Sequence, residues 1–124
     1  NIRCIIFEGP KEHPLITTEL MMPILGIVRA RDFEDAVEQA VWLEHGNRHS
    51  AHIHSKNVDR ITKYAKAIDT AILVKNGPSY AALGFGGEGF CTFTIASRTG
   101  EGLTSASSFT KRRRCVMTDS LCIR

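Results

Sequence analysis

The order of apolar and polar residues along the first part of the chain predicts short strands that alternate with amphipathic helices. Apolar runs of strand length are bounded by glycine, proline, asparagine or charged residues, and the segments between them have apolar residues at a helical period. We predict strands at 3–8, about 24–29, 49–54 and 70–76, and helices at about 32–44 and 57–68. This order is typical of a layered α/β fold with mostly parallel strand pairing.

The first predicted helix has clear boundaries. Asp32 is a suitable N-cap, and Asp35 adds a second acidic side chain in the first turn, where the helix dipole favours negative charge. Its apolar positions recur at i, i+3, i+4, i+7 and i+8, at Phe33, Ala36, Val37, Ala40 and Val41. We expect this helix to run to about Glu44 and to stop near Gly46.

The second predicted helix begins after Asn57, which is also a suitable N-cap. Its expected buried face consists of Val58, Ile61, Ala65 and Ile68. The following strand, TAILVKN at 70–76, contains the run AILV. A run of this kind predicts a strand that is buried on both faces, as in a parallel sheet.

The pattern changes beyond Pro78. Seven glycines lie between residues 77 and 102, and a segment of this length is usually functional or irregular. One run inside it, FCTFTIA at 90–96, is strand-like. The last stretch, KRRRCVMTDSLCIR, leads from basic residues into a predicted terminal strand.

Composition adds few constraints. With 43% hydrophobic and 23% charged residues, the 124-residue chain has the composition of an ordinary soluble domain, and its net charge of +3 is too small to indicate nucleic-acid binding. Its apolar runs are far shorter than the ~20 residues that span a bilayer, and it shows no secretory leader. We therefore expect a cytoplasmic protein with reduced thiols. Because the chain begins at Asn1 rather than at Met, we also expect a fragment or a processed piece.

Four of the five histidines fall within LEHGNRHSAHIHS at 43–55. His52 and His54 would share one face of the predicted strand, and such a pair can bind zinc if His45 or His49 supplies a further ligand. The stretch lacks a supporting pattern of Cys, Asp or Glu ligands, so hydrogen-bonded or solvent-facing histidines are the favoured interpretation. His49 has the best position for a functional role, because sites in α/β proteins collect in loops that adjoin strand ends.

The hexapeptide GFGGEG at 84–89 matches the pattern GxGxxG through Gly84, Gly86 and Gly89. A dinucleotide-binding loop follows a strand and opens a helix, whereas this segment precedes a strand-like run. A glycine-rich active-site or packing loop is therefore the favoured interpretation.

Basic residues and cysteines give weaker signals. KRRR at 111–114 could contact phosphates, but a single run of four charges is more typical of a solvated or interface edge. No CxxC pair occurs among the four cysteines. Cys4 and Cys91 lie in apolar runs that predict burial, and Cys115 follows three arginines, but nothing marks any cysteine as a nucleophile.

Seven strings, namely ELMMP, EHGNRH, KNGPSYA, GGEG, TFTIA, TGEGLTSA and RRRCV, together are highly specific. With their surroundings they resemble the C-terminal part of CoA-acylating aldehyde dehydrogenases, in particular the propionaldehyde and acetaldehyde dehydrogenases of propanediol and ethanolamine utilisation. The resemblance covers essentially all 124 residues. It implies a C-terminal portion of the catalytic domain at 1–109, with a mostly parallel sheet and flanking helices, and an oligomerisation strand and tail at 110–124.

The resemblance also implies an activity and its residues. Aldehyde, coenzyme A and NAD would give acyl-CoA and NADH through a catalytic cysteine. Glu19 of ELMMP matches a glutamate that binds the nicotinamide ribose, and His49 matches a histidine near the active-site cleft with an auxiliary role in coenzyme A or acyl-enzyme chemistry. Asn76, Gly86 and Gly87 resemble the segment that lines the aldehyde pocket. No metal is implied.

The chain departs from the family in what it lacks. The family's nucleophilic cysteine and its Rossmann domain lie upstream of ELMMP, and none of the four cysteines here matches that nucleophile. Our first hypothesis is a fragment of such an enzyme that is inactive alone; the alternative is a non-catalytic interaction or assembly module derived from it. We expect a homo-oligomer without nucleic-acid or membrane partners, in the cytoplasm or in a bacterial microcompartment.

Overall fold

The computed structural model describes residues 3–84, 86, 104–111, 113–116 and 118. Its elements are β1 (Ile5–Glu8), α1 (Pro14–Thr17), β2 (Ile24–Ile27), α2 (Phe33–Glu44), β3 (Ser50–Ile53), α3 (Val58–Ile68) and β4 (Ile72–Lys75), followed by 3₁₀ helices at Ser79–Leu83 and Ala106–Phe109. The four strands and two longer helices predicted for residues 3–76 are all present, although each strand is shorter than predicted. The short helix α1 was not predicted.

The strands form two separate parallel pairs. β1 pairs with β2, with Ile5 opposite Ile24, and β3 pairs with β4, with Ser50 opposite Ile72. Parallel pairing is therefore confirmed. A single layered sheet is not found in the described part of the chain, where no hydrogen bonds join β2 to β3. The order of elements along a sequence does not fix which strands are neighbours, since a parallel crossover can pass over other strands.

Helix α2 begins and ends where its sequence predicted. The Asp32 carboxylate accepts a hydrogen bond from the backbone N–H of Asp35 at 2.9 Å, which satisfies one of the free donors of the first turn. At the other end, His45 and Gly46 have φ angles of 55° and 79°, so the chain leaves the helix through the left-handed region.

Asp35 has a second role at the start of α2. Its carboxylate accepts a hydrogen bond from the backbone N–H of Arg31 at 2.8 Å and forms an ion pair with the Arg31 guanidinium at 3.3 Å. Hydrogen bonds from the Arg31 backbone and then from its side chain lower the pKa of Asp35 to about 2. A lowered carboxyl pKa favours the folded state above the ordinary value of 3.8, and this contribution is lost as the pH falls towards 2.

Helices α2 and α3 lie side by side with their N-terminal turns in contact. The Arg60 guanidinium of α3 lies 5.3 Å from the centre of the Phe33 ring of α2, and Lys63 forms an ion pair with Glu34. Asn57 caps α3 as predicted, because its side chain accepts from the backbone N–H of Arg60 at 3.0 Å. Side chains of the first two turns thereby join the capped starts of the two helices.

The predicted buried face of α3 is only partly correct. Ile68 is buried, and Ile61 and Ala65 are half-buried, but Val58 is 71% exposed. Val58 is the first residue of the helix, and no described residue packs over it. The helical period therefore identified the buried face of α3 correctly. It did not show that the first residue of this face would remain exposed to solvent.

The buried core centres on β4 and its neighbours. Its members are Val37, Ala51, Ile68, Ile72 and Val74. Ile72 and Val74 alternate along β4 with exposed Leu73 and Lys75, so the prediction that AILV is buried on both faces is wrong for the described residues. Alternation of this kind is typical of a strand with one covered face.

Some predictions fall outside the described residues, including the strand at 90–96. Residues 110–111, 113–116 and 118 of the proposed oligomerisation strand are described and are not assigned to a strand. A strand that pairs with another subunit has no ladder partner in a single chain, so this assignment stays a prediction. Within the described residues, no helix has the length and apolarity needed to cross a membrane.

Replacing Asp32 by alanine tests the predicted cap. The substitution removes the acceptor for the Asp35 N–H, and we expect a loss of about 1 kcal/mol of helix stability. In the longer protein that contains this chain, the amides of the first turn of α2 should exchange with solvent about fivefold faster. Glu38→Ala, at an exposed position of the same helix, is the control. Equal exchange rates in both variants would contradict the capping role.

Candidate functional site

A cavity of about 580 Å³ lies between the segment after α1 and the C-terminal end of α2. It is lined by residues 16–19, 43–45, 47, 49 and 50. Glu19 and His49, which the sequence predicted as cofactor-binding and catalytic residues, both line this cavity. The structure therefore brings together two site residues that lie on different segments of the chain.

Glu19 contributes an exposed carboxylate in the segment between α1 and β2. α1 places this segment, because Pro14 supplies a helix start and the His13 ring accepts a hydrogen bond from the Leu15 N–H at 3.1 Å. The α1 backbone also lies close to β2: a Cβ at Gly26 would come within 3.0 Å of the Leu15 carbonyl oxygen. Glycine at this position in β2 thus lets α1 approach the strand, which sets the position of the Glu19 segment.

His49 lies at the junction of a left-handed loop with β3. His45, Gly46 and Arg48 all have φ angles between 55° and 79°. The His49 carbonyl accepts from the Ile72 N–H at 3.0 Å, which anchors the residue to β4. Its ring is exposed, with Nδ1 2.6 Å from the Ser50 hydroxyl. Among the described residues Ser50 is the hydrogen-bond partner of this ring, and Nε2 has no partner among them.

Asn76 holds the ends of β3 and β4 together. Its side-chain oxygen accepts from the Ser55 N–H at 2.8 Å, and its amide nitrogen donates to the Ser55 carbonyl at 2.8 Å. Its backbone N–H donates to the Ile53 carbonyl at 2.9 Å. Its φ of 53° is a conformation that asparagine tolerates better than most residues. The side chain is thus occupied by backbone partners and does not line the cavity of Glu19 and His49.

The glycine-rich segment is described only in part. Gly84 ends the first 3₁₀ helix with a φ of 91°. Gly86 is exposed with a φ of 73° and open space where a Cβ would lie. Gly87 lies outside the described residues. The proposed aldehyde-pocket role of Asn76, Gly86 and Gly87 stays a prediction.

The other histidines are separated from one another. His45 packs against the Trp42 ring with 5.6 Å between ring centres, and the His52 Nε2 atom lies 3.4 Å from the Ser79 hydroxyl. His54 is exposed. Within the described ranges, no three His, Cys, Asp or Glu side chains are grouped so that they could hold a metal ion.

Cys4 and Cys115 are free and exposed, whereas Cys91 and Cys122 lie outside the described residues. The predicted burial of Cys4 is therefore wrong. Cys4 lies just before β1 and is exposed. The apolar run that contains it did not show which of its residues other parts of the chain would cover.

Sequence reasoning missed Arg48, whose guanidinium donates to the Ile68 carbonyl at 3.1 Å and contacts the Asp69 carboxylate at 3.2 Å. Its side chain is 25% exposed, and its backbone N–H donates to the Glu44 carboxylate. The only available signal was a basic residue between a helix and a strand. Its partners lie at the far end of another helix, and no local pattern pairs them.

Parallel strand pairs with flanking helices place the chain in the parallel α/β class. Residues 2–110 match the aldehyde dehydrogenase family, and the chain belongs to that family. It is 51% identical to an acetylating acetaldehyde dehydrogenase of Salmonella typhimurium over 95% of this chain and 25% of that protein. The chain thus spans about a quarter of the length of this relative.

Solved structures extend the comparison. A propionaldehyde dehydrogenase from the Clostridium phytofermentans fucose utilisation bacterial microcompartment is 90% identical, with a TM-score of 0.90 over 99% of this chain and 28% of that chain. A propionaldehyde dehydrogenase of Rhodopseudomonas palustris, solved with bound CoA and an acylated cysteine, is 60% identical with a TM-score of 0.87, over 92% of this chain and 26% of that chain. These likenesses confirm the resemblance and the partial aldehyde dehydrogenase fold predicted from the sequence.

The two hydrogen bonds between the Asn76 side chain and the Ser55 backbone can be tested by two substitutions in the longer protein. Asn76→Ala removes both hydrogen bonds to Ser55 and places alanine in a left-handed conformation, which should cost about 1–3 kcal/mol locally. Asn76→Asp keeps the acceptor and tolerates the backbone. We expect the Ser55 amide to exchange fastest in the alanine variant, with the aspartate variant intermediate. An unchanged rate of Ser55 amide exchange in Asn76→Ala would contradict the role of these hydrogen bonds.

Proposed function

We propose that the chain is the C-terminal portion of an NAD-dependent, CoA-acylating aldehyde dehydrogenase. The observation that carries this proposal is the shared cavity of Glu19 and His49, because the structure joins the carboxylate and the imidazole that the family resemblance had singled out. The relatives' reported activities and the bound CoA of one of them support the same reaction class. The whole reaction converts aldehyde, coenzyme A and NAD to acyl-CoA and NADH, with NAD as the electron acceptor.

Glu19 suits the cofactor role by its chemistry. An exposed carboxylate that lines a cavity can accept hydrogen bonds from two neighbouring ribose hydroxyls. Glu19 makes no side-chain hydrogen bond with another described residue, so its acceptor capacity is available. We therefore assign Glu19 to binding of the nicotinamide ribose.

His49 suits a proton-transfer role in the acyl-transfer half of the reaction. The thiol of coenzyme A attacks an acyl-enzyme thioester as a thiolate, so a nearby base assists by accepting the thiol proton. His49 lines the cavity, its Nε2 has no partner among the described residues, and a neutral imidazole can accept a proton. We assign His49 as this auxiliary base, and Asn76, Gly86 and Gly87 as the segment that shapes the aldehyde pocket.

The isolated chain should not carry out the whole reaction. The nucleophilic cysteine implied by the family resemblance matches none of its cysteines, and Cys4 and Cys115 are exposed and do not line the cavity of Glu19 and His49. The complete enzyme would act as a homo-oligomer in which residues 110–124 pair with a neighbouring subunit. We propose a cytoplasmic location within a bacterial microcompartment, supported by the source of the 90% identical relative.

Substitution of His49 tests its role in the full-length protein. Because general-base assistance typically contributes 10²–10⁴-fold, we expect His49→Gln to lower kcat for acyl-CoA formation by about 100-fold. NADH formation from propionaldehyde, coenzyme A and NAD, followed at 340 nm, gives the rate. NADH release in a single turnover without coenzyme A should remain close to that of the unmodified protein.

His52→Gln is the matched control, since His52 lies in the adjoining strand β3 but contacts Ser79 rather than the cavity. It should leave kcat unchanged within about twofold. Equal effects of the two substitutions, or an unchanged kcat in His49→Gln, would contradict the assignment of His49.

A non-catalytic interaction module is the second candidate, and exposed apolar side chains favour it. Ile6, Leu25 and Ile27 of the β1–β2 pair are 66%, 53% and 37% exposed. Register pairs Ile6 with Leu25, so these side chains form a continuous apolar patch. Such a patch on an isolated chain is expected to become covered by another protein surface.

Two measurements on the 124-residue chain test the two candidates: sedimentation tests the interaction module, and an assay of NADH formation tests the fragment proposal. We expect self-association without NADH formation, because the patch is exposed and the nucleophile is absent. Leu25→Lys should shift the chain towards monomer, whereas Glu38→Lys, on the exposed face of α2, should not. Turnover by the isolated chain would contradict the fragment proposal, and a monomer at all concentrations would contradict the interaction module.

A further inference from the structure

We infer that Arg48 is a positioning residue for His49; this inference rests on the proposed function of His49. Arg48 precedes His49 directly and does not line the cavity. It therefore acts through the backbone and not through contact with a substrate. Its contacts join three elements at the point where His49 enters β3.

The guanidinium of Arg48 fixes the C-terminal end of α3. Its Nη1 donates to the Ile68 carbonyl at 3.1 Å, which is one of the last carbonyls of the helix and has no partner within it. The same nitrogen lies 3.2 Å from the Asp69 carboxylate. With a side chain only 25% exposed, this interaction is shielded from solvent more than a surface ion pair.

The backbone of Arg48 is held on both sides. Its N–H donates to the Glu44 carboxylate at the end of α2, and its carbonyl accepts from the Ala71 N–H at 2.9 Å just before β4. Its φ of 57° lies in the left-handed region, which a non-glycine residue adopts only when its surroundings stabilise it. Four hydrogen-bond partners stabilise it here, namely Glu44, Ile68, Asp69 and Ala71.

The direction of the His49 side chain follows from this backbone. The Ser50 hydroxyl is the single side-chain partner of the His49 ring in the described residues, so side-chain contacts alone do not fix the ring in the cavity. If Arg48 relaxed to an extended or right-handed conformation, the following Cα–Cβ bond would rotate away. Arg48 thus determines where the imidazole points, although it does not touch the cavity.

The test uses Arg48→Lys, His49→Gln and the double variant in the full-length protein. Lysine keeps the charge but replaces the planar guanidinium, whose Nη1 contacts both Ile68 and Asp69, by an ammonium on a flexible stem. We expect Arg48→Lys to lower kcat for acyl-CoA formation by about tenfold, because small misplacements of a catalytic group are costly. The KM values for aldehyde and NAD should stay within about twofold, since Arg48 contacts neither binding residue.

The double variant distinguishes positioning from a general structural role. If Arg48 acts through His49, adding Arg48→Lys to His49→Gln should change kcat by less than about twofold. A similar tenfold effect in both backgrounds would overturn the inference while leaving the role of His49 intact. No effect of His49→Gln alone would overturn both. Arg60→Lys, an exposed arginine stacked on Phe33, is the matched control and should leave kcat unchanged.

A second variant covers the case in which Arg48→Lys does not fold. Asp69→Asn keeps the shape and the left-handed backbone at this helix end but removes the charge that holds the guanidinium. Because Asp69 is 66% exposed, its loss should be tolerated. We expect a fall in kcat of about threefold that disappears in the His49→Gln background. An unchanged kcat in Asp69→Asn would then count against the inference.

Discussion

Hydrogen bonds of Arg48 join the C-terminal ends of helices α2 and α3 to the segment that enters strand β3. The Arg48 backbone N–H donates to the Glu44 carboxylate at the end of α2. Its guanidinium donates to the Ile68 carbonyl and to the Asp69 carboxylate at the end of α3. Free carbonyls at helix ends need donors, and a planar guanidinium supplies several from one side chain. The two parallel strands β3 and β4 are held in register beside this point by the Ala71 N–H and the Ile72 N–H.

Signals that act over a few residues were predictable from the sequence. Asp32 and Asn57 cap their helices through hydrogen bonds that span three residues, and Gly46 follows the end of α2 as expected. Parallel pairing also followed from the alternation of strands and helices. His49 was a candidate from its loop position and from the family resemblance, whereas Glu19 was one from the resemblance alone, and no local pattern relates the two residues.

Features that depend on cover from distant residues were not predictable. Val58 has a correct helical position and Leu73 lies in an apolar run, yet both are exposed, since hydrophobic patterning does not show what packs on a face. The division into two strand pairs has the same origin, because strand order depends on contacts far apart in sequence. The Arg48 partnership combines both difficulties: its acceptors are 20 and 21 positions away, and one of them is a backbone carbonyl.

Within the part of the chain that the structure describes, the histidine-rich stretch does not bring three possible metal ligands together. A left-handed turn at Arg48 separates His49 from His45, and His52 is directed towards Ser79 instead of the cavity. Metal ligation needs side chains that converge. Here the His45 ring packs against Trp42, His49 lines the cavity, and the His52 ring faces Ser79 of the first 3₁₀ helix. The same backbone places His45 and His49 along the cavity that Glu19 also lines, with the His45 ring against Trp42 and the His49 ring beside Ser50.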